Sequence, residues 1–350
     1  MTNQENKTTE RAKKLPFIRL YHGYGHSRNV VVYGHVFKRE PRLFKEKRGG
    51  GMLSNLVQLL KLFRVRTIPN ARLQVLFEGQ EILSKAEYDG FFKIEIHPAV
   101  HLEAGWHKVF VNLLDDRQQI VSTGEGKIFV PHVSQYAFIS DIDDTIMRSF
   151  SATIFKRLYE LLSRGPGRRR LFAETAQHYN MLAHAHAAPD TPNPFFYVSS
   201  SEWNLYDYLQ QVFRRHQLPE GIYLLNQIKR WNELLKSGKT GHEGKLIRIA
   251  RILKAFPKQK FVLLGDNSQR DPQIYKSIAD KHPEQIYAVY IRNVRSSKEQ
   301  ESRALLQQLE AANIHTCIFE NSSEAIVHGI SIGLIAQRKS SAKKDSQYQG

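Results

Sequence analysis

Cysteine is almost absent from this 350-residue chain, in which Cys317 is the single example. One thiol cannot form an internal disulfide, and it cannot build a zinc site from several cysteines. Because Cys317 lies in the short apolar run 316–319, we expect it to be a buried structural thiol. The fold must instead rely on its hydrophobic core, and 350 residues are enough for a sizeable core and for two domains.

Long hydrophobic runs are also missing. The longest one near the C-terminus, residues 325–336, is broken by His328 and is too short to span a bilayer. The N-terminus is polar and lacks the apolar segment of a signal peptide. We therefore expect a cytoplasmic protein that reaches a membrane only by peripheral contact.

Acidic residues are outnumbered by basic ones. The chain has 34 Asp and Glu against 51 Lys and Arg, which gives a formal net charge of +17. Such a charge attracts nucleic acid, anionic lipid or phosphorylated small molecules. Charge alone does not choose among these partners, and part of the basic excess is only a solvated surface.

The N-terminal part of the sequence predicts a small domain made of strands. Residues 1–16 are polar and without periodicity, which predicts a disordered arm, and the Ser- and Lys-rich residues 337–350 predict a disordered tail. Residues 17–131 contain short strand patterns separated by turn signals such as Asp89-Gly90. We interpret this region as an all-β sandwich, and it shows no catalytic constellation.

Two segments of this region differ from the strand pattern. Gly23 and Gly25 in the stretch Tyr21–His26 predict a flexible turn. Residues 53–63 have a helical pattern, and they follow a basic, glycine-rich connector at residues 45–51.

From residue 134 to residue 336 the pattern changes to strands that alternate with amphipathic helices. This alternation predicts an α/β domain of three layers with a mostly parallel sheet. The predicted strands are Tyr136–Ser140, Phe195–Ser199, Ile222–Leu225, Phe261–Leu264, Ile286–Ile291 and, as a sixth, Thr316–Phe319; the clearest predicted helices are Trp203–Phe213 and Leu246–Phe256.

The stretch Tyr136–Ile146 carries the strongest chemical signal. Its apolar half predicts a buried strand, and Asp141, Asp143 and Asp144 follow at once. The carboxyl ends of parallel strands meet at one edge of a sheet, where open α/β folds place their sites. Carboxylates packed this closely repel one another, and a bound cation would relieve the repulsion. The stretch therefore predicts a metal-dependent phosphotransferase site.

Phosphoryl transfer needs a nucleophile, a proton shuttle and a cation, and aspartates at this edge can supply or hold each of them. Asp141 can act as the nucleophile and form an aspartyl-phosphate. Asp143 can protonate the leaving alkoxide and then activate water. Asp266 follows the predicted strand Phe261–Leu264, and with Asp141 it offers hard oxygen ligands for Mg²⁺.

Donors to the phosphoryl oxygens are expected on two other segments. Ser199 ends a predicted strand, so its hydroxyl and the neighbouring amides, including that of Ser200, can bind phosphate. Lys245 opens an amphipathic helix and adds a positive charge, although Lys239 in the same basic loop is an alternative.

Two further aspartates leave their roles open. Asp144 could contact the metal or only support its loop by hydrogen bonding, as aspartates in turns commonly do. Asp271 could be a second acid of the metal site or a cap before Pro272.

These motifs resemble the haloacid-dehalogenase (HAD) phosphatase superfamily, whose first motif, D-x-D-x-T, stands here as Asp141–Thr145. A finer resemblance, to the actin-patch-type phosphatidate phosphatases, lies in the strings Ser140–Ile146, Phe196–Tyr206 and Leu264–Pro272. The resemblance implies a HAD-like fold and a Mg²⁺-dependent phosphatase that converts phosphatidate to diacylglycerol. It also implies that the main-chain carbonyl of Asp143 faces the metal.

Two other functions stay open on the sequence alone. The motifs bind phosphate and not the group attached to it, so the substrate could be a soluble or protein-linked phosphoester. A basic nucleic-acid-binding protein with a decayed catalytic domain is the second alternative. The intact Asp141, Asp143 and Asp266 argue against it, and so does the lack of an aromatic and basic single-strand platform.

Overall fold

The structure is a computed structural model, and the chain forms two compact units that divide between Pro131 and His132. The structure describes residues 15–42, 61–132, 135–146, 172, 174–188, 191–226 and 241–336. Outside the described residues lie nearly all of the predicted arm, the predicted tail, the connector at 45–51, most of the predicted helix at 53–63, and Lys239.

The first unit contains one mainly antiparallel sheet of seven strands. The strands are β1 (Phe17–His26), β2 (Asn29–Phe37), β3 (Arg72–Phe77), β4 (Gln80–Lys85), β5 (Phe91–Ile96), β6 (Gly105–Leu114) and β7 (Ile120–Val130). Their order across the sheet is β4-β3-β6-β7-β1-β2-β5. A short parallel pairing of β1 with β7, at Gly23 with Ile128 and Tyr24 with Phe129, joins the two parts of the sheet.

Alternate side chains of these strands build one hydrophobic core. Val32 of β2, Val75 of β3, Ile96 of β5 and Val109 of β6 are among its fully buried members. The prediction that this unit is built on a mainly antiparallel β-sheet is confirmed for its described residues. Because hydrogen bonds link all seven strands, the two sheets expected of a sandwich are not separate here.

The prediction of a flexible turn at Tyr21–His26 is wrong, because these residues form the second half of β1. A Cβ at Gly23 would lie 2.2 Å from the carbonyl oxygen of Val31, so the glycine permits a close approach of two backbones. The register with β2 shifts between Tyr21 and Tyr24, where β1 also begins to pair with β7.

The second unit contains a sheet of six parallel strands. They are β8 (Tyr136–Ser140), β9 (Phe195–Glu202), β10 (Gly221–Asn226), β11 (Lys260–Asp266), β12 (Ile286–Arg292) and β13 (His315–Phe319). The order is β10-β9-β8-β11-β12-β13, which is the 3-2-1-4-5-6 order of doubly wound α/β folds. The predicted α/β class and parallel sheet are confirmed, and all six predicted strands are present.

Six α-helices are described in this unit. They are α1 (Thr175–Ala183), α2 (Tyr206–Arg215), α3 (Gly241–Ala255), α4 (Asp271–Lys281), α5 (Glu299–Glu310) and α6 (Ser322–Ser331). Helix α4 contacts both α3 and α5, whereas α1 contacts α6. Right-handed crossovers in this strand order place these two groups on opposite faces of the sheet.

Two helix starts differ from the prediction. The segment expected as a helix from Trp203 begins with a 3₁₀ turn, Trp203–Leu205, before α2. Helix α3 begins at Gly241 instead of Leu246, because Gly241 and Gly244, which are poor helix formers, hide its first turn from the sequence pattern. Among the described residues, no helix is long and apolar enough to cross a bilayer.

Candidate active site

Asp141 lies at the point where the strand order of the second unit reverses, directly after β8. Its main-chain N–H donates to the carbonyl oxygen of Leu264 in the adjacent strand β11, at 2.9 Å. The side chain is 3% exposed, and its Oδ1 accepts a hydrogen bond from Lys245 Nζ at 2.8 Å. Its Oδ2 is buried and has no hydrogen-bond partner among the described residues. A buried carboxylate oxygen left open in this way is suited to a ligand or a reacting atom.

The residues after Asp141 form a turn that two side chains hold in place. Asp144 has a φ of 59°, in the left-handed region, and its Oδ2 accepts a hydrogen bond from Ser268 Oγ at 3.2 Å. Thr145 Oγ1 donates to Asp266 Oδ2 at 3.2 Å. The two bonds tie the turn to the last residue of β11 and to the loop after it, so the contact of Asp144 seen here is one that supports the turn.

Three buried carboxylates converge at this edge of the sheet. Asp141, Asp266 and Asp271 each offer one oxygen, and these oxygens all lie within 4.8 Å of one another. Asp271 is the first residue of α4, and its Oδ2 accepts the main-chain N–H of Asp266 at 3.3 Å. An all-oxygen set of carboxylates is what Mg²⁺ and Ca²⁺ bind in proteins.

Ionisation of Asp266 and Asp271 is unfavourable in this buried environment. Burial raises the pKa of Asp266 well above its usual value, and the nearby charges of Asp271 and Asp141 raise it further. Burial also raises the pKa of Asp271, to about 6, although Lys245 acts in the opposite direction. A cation bound among these groups would favour their ionised forms.

Lys245 joins two of these carboxylates. It is 6% exposed, and its Nζ donates to Asp141 Oδ1 and to Asp271 Oδ1. Burial lowers the pKa of Lys245, but the charges of Asp141 and Asp271 outweigh burial and leave that pKa above its ordinary value. Lys245 therefore stays protonated and carries a fixed positive charge beside Asp141.

Asp143 faces a different partner from the other aspartates. Its side chain lies outside the group of Asp141, Asp266 and Asp271. Its Oδ2 accepts a hydrogen bond from the buried Ser199 Oγ at 3.0 Å. The same Ser199 oxygen accepts the main-chain N–H of Ser201 at 3.0 Å. Ser200 is only half-buried, and its carbonyl accepts a hydrogen bond from Asn226 Nδ2 at 3.0 Å.

The structure thus brings most of the predicted site residues together. Asp141 contacts Lys245, and one of its oxygens lies within 4.8 Å of an oxygen of Asp266. Asp143, two residues further along the chain, is hydrogen-bonded to Ser199. Between the two lysines considered, Lys245 lies in the site and Lys239 lies outside the described residues.

Arg292 is one residue of this region that the sequence reasoning missed. It ends β12 and is 1% exposed, and its Nε donates to the carbonyl oxygen of Thr145 at 3.0 Å. Its guanidinium also donates to Ser322 Oγ at 2.9 Å and lies 4.2 Å from the ring centroid of Phe172. The signal was present, because a polar residue follows an apolar strand here just as it does at Asp141.

Comparison with known proteins agrees with this geometry. Residues 136–293 match the family described as "Phosphatidate phosphatase APP1, catalytic domain". This segment belongs to the App-type phosphatidate phosphatase catalytic-domain family. All the site residues described above, from Asp141 to Arg292, lie inside the matched segment.

Two curated proteins show the same similarity. One is the phosphatidate phosphatase APP1 of Saccharomyces cerevisiae, 31% identical over 46% of this chain and 27% of its own length. The other is an uncharacterized protein of Schizosaccharomyces pombe, 25% identical over 50% of this chain and 29% of its own length. The chain therefore spans less than a third of the length of either relative.

Solved structures overlap with this chain only weakly. The match to the fibronectin(III)-like modules of Clostridium thermocellum CbhA covers 33% of this chain and 97% of the CbhA chain, with 15% identity and a TM-score of 0.18. A carbohydrate acetylesterase from Xanthomonas citri covers 87% of this chain and 69% of its own, with 9% identity and a TM-score of 0.31. These scores are too low to inform on fold or function.

Proposed function

We propose that this chain is a Mg²⁺-dependent phosphatase of the HAD type that hydrolyses phosphomonoesters through an aspartyl-phosphate, with phosphatidate as its substrate and diacylglycerol as the product. The observation that carries this proposal is the buried Oδ2 of Asp141, which has no hydrogen-bond partner among the described residues and lies close to Lys245 and to a second aspartate, Asp143. Membership of the surrounding segment in the phosphatidate phosphatase family supports it.

In the first half of the proposed reaction, Asp141 Oδ2 attacks the phosphorus atom, and the bond from phosphorus to the alkoxide of the substrate breaks. Asp143, in its acid form, gives its proton to that leaving oxygen. Lys245 and the main-chain amide of Ser200 donate to the phosphoryl oxygens, on which negative charge must be stabilised, while the Ser199 hydroxyl donates its single proton to Asp143.

In the second half, water attacks the phosphorus atom of the aspartyl-phosphate. Asp143 takes a proton from this water, and the bond between phosphorus and Asp141 breaks, which releases inorganic phosphate and restores both aspartates. The two steps need one nucleophile and one proton shuttle on different carboxylates. The separate environments of Asp141 and Asp143 meet this need.

We propose that Asp141, Asp266 and Asp271 hold the metal ion. Their convergent oxygens and the raised pKa values of Asp266 and Asp271 fit a divalent cation. Mg²⁺ bound there would shield the charge of the phosphoryl group from that of the nucleophile. Asp271 then supplies the third carboxylate, while any contact of Asp143 with the metal would be through its main-chain carbonyl.

Phosphatidate is proposed on two grounds. The matched family and the Saccharomyces cerevisiae relative both carry this substrate in their names. The net charge of +17 also favours contact with an anionic lipid surface, so we propose peripheral attachment to a membrane. A soluble phosphoester is the competing substrate class. Comparison of kcat/KM for phosphatidate and for soluble esters distinguishes the two classes.

The enzymatic claim is tested by release of a chromogenic alcohol from a phosphomonoester, with and without Mg²⁺. We expect activity only with Mg²⁺, and a loss of about 10³-fold or more in Asp141→Asn, because an amide cannot form the covalent intermediate. Asp280→Asn, which alters an exposed aspartate on α4, is the matched control and should keep full activity. Equal rates for the wild type and Asp141→Asn would refute the mechanism.

A further inference from the structure

The loop that carries Ser199 is a bulge in the parallel sheet. Strand β9 pairs with β10 in regular register as far as Val198, opposite Leu224. The next paired residues are Glu202 and Asn226, so β9 advances by four residues where β10 advances by two. A bulge of this kind takes backbone groups out of the ladder of hydrogen bonds, and these groups need other partners.

Two side chains bind the freed carbonyl groups. Arg248 on α3 donates from one terminal nitrogen to the carbonyl oxygen of Ser199 at 3.3 Å. Asn226 at the end of β10 donates from Nδ2 to the carbonyl oxygen of Ser200 at 3.0 Å. The two side chains also hold each other, since Arg248 donates from its other terminal nitrogen to Asn226 Oδ1 at 2.7 Å.

The hydrogen bond from Asn226 to the Ser200 carbonyl also orients the N–H that binds the Ser199 hydroxyl. In a trans peptide the C=O and the following N–H point in opposite directions. The carbonyl of Ser200, bound by Asn226, and the N–H of Ser201 belong to one peptide unit. That N–H donates to Ser199 Oγ at 3.0 Å, and the single proton of this hydroxyl is directed to Asp143 Oδ2 at 3.0 Å.

Gly244 leaves room for the pair. A Cβ at this helical position would lie 3.3 Å from a terminal nitrogen of Arg248 and 3.8 Å from Asn226 Oδ1. Glycine inside a helix costs about 1 kcal/mol relative to alanine. A methyl group one residue before Lys245 would therefore be tight against the guanidinium of Arg248 and in ordinary contact with Asn226.

We infer that Asn226 and Arg248 are positioning residues of the phosphatase reaction, acting through the bulge 199–201 on the hydroxyl of Ser199 and so on Asp143. The inference rests on the proposed function. Neither side chain needs to touch the substrate. Together they fix the direction of the donor that binds the proton shuttle.

The test is a double-mutant cycle of Asn226→Asp with Ser199→Ala, read as kcat/KM on a soluble chromogenic phosphomonoester. Aspartate keeps the size of Asn226 and its bond with Arg248 but loses the donor to the carbonyl of Ser200. We expect Asn226→Asp to lower kcat/KM by about 10- to 100-fold in the wild type. In the Ser199→Ala background it should change kcat/KM by no more than about twofold.

The controls separate positioning from a general structural role. Asn193→Asp removes another buried donor to backbone carbonyls, those of Leu182 and Ala185, just before the start of β9 and at the opposite end of this strand from the bulge. It should lower the melting temperature without lowering kcat/KM of the folded enzyme. If Asn226→Asp does not fold, Arg248→Met takes its place in the cycle, with the exposed Arg251→Met as its control.

Two results overturn the inference. One is an equal fold-loss from Asn226→Asp in both backgrounds, and the other is wild-type kcat/KM in Asn226→Asp. A wild-type enzyme that releases no phosphate from any ester refutes the proposed function itself, and the inference with it. An active wild type together with either of the two results above refutes the positioning role of Asn226 and Arg248 but leaves the proposed function intact.

Discussion

At the scale of single residues, the candidate site is defined by a local imbalance of buried charge. Asp141, Asp266 and Asp271 place three carboxylates together, and Lys245 supplies one ammonium group against them. Buried charges without compensation are strongly destabilising, so an excess of two carboxylates, if all three are ionised, is compatible with a divalent cation at this position.

His178 is a second buried residue with an incomplete set of partners. It is fully buried in α1, and neither ring nitrogen has a hydrogen-bond partner among the described residues. Burial, with a smaller contribution from the charge of the nearby Arg292, lowers the pKa of His178 to about 3. The folded state therefore keeps this histidine neutral at a pH where the unfolded chain, with its ordinary pKa of 6.5, binds a proton.

This difference predicts a loss of stability in acid. The free energy of unfolding is unaffected by His178 above pH 6.5 and falls as the pH drops from about 6.5 towards 3. Between pH 7 and pH 5 the loss amounts to about 2 kcal/mol. His178→Phe should remove this part of the pH dependence in equilibrium unfolding.

The exposed His184, just beyond the end of α1, provides the control. His184→Phe should leave the pH dependence of the free energy of unfolding as it is in the wild type. An unchanged difference between pH 7 and pH 5 in His178→Phe would show that the buried ring does not carry the effect.

At the scale of elements, the ends of strands account for most of what the sequence could predict. Asp141, Ser199 and Asp266 were found because a polar residue follows an apolar run, and this signal needs no tertiary information. Asn226 and Arg292 obey the same rule at β10 and β12, but no chemical motif drew attention to them.

Other features depend on contacts that a sequence pattern does not contain. Asp271 precedes Pro272 at the start of a helix, where an aspartate is ordinarily a cap, and its contact with Lys245 and its place beside Asp141 and Asp266 are tertiary features. The glycines of β1 suggested a turn, because the close approach of Gly23 to Val31 is a tertiary contact. Bulges such as 199–201 likewise require the register of the neighbouring strand.

Strand β11 and helix α4 meet closely at Gly265, and this contact yields a prediction. A Cβ there would lie 2.6 Å from Asp271 Oδ2 and 2.7 Å from the ring of Tyr275. Gly265→Ala should therefore displace Asp271 and lower the free energy of unfolding by about 1–3 kcal/mol. Because Asp271 is a proposed metal ligand, the Mg²⁺ concentration for half-maximal activity should rise.

Chemical denaturation and a Mg²⁺ titration of activity measure the two effects of Gly265→Ala. A destabilised variant with the wild-type Mg²⁺ requirement would show that Asp271 does not contribute to metal binding. Wild-type values for both quantities would mean that the contact between β11 and α4 relaxes without cost.

At the scale of the whole molecule, substrate choice is the central question. The parallel sheet and its aspartates fit phosphoryl transfer, but they do not distinguish one phosphomonoester from another. The positive net charge and the family of the segment 136–293 both favour a lipid phosphate at a membrane surface. We therefore expect lipid presentation to raise kcat/KM above that for any soluble ester.

The most direct measurement is phosphate release from a panel of esters by the wild type and Asp141→Asn, with Mg²⁺ present. The panel contains phosphatidate in mixed micelles, lysophosphatidate, sugar phosphates, nucleotides and phosphopeptides. We expect the highest kcat/KM for phosphatidate and its loss in Asp141→Asn. A higher kcat/KM for a soluble ester, or phosphate release from phosphatidate that survives in Asp141→Asn, would contradict the proposed function.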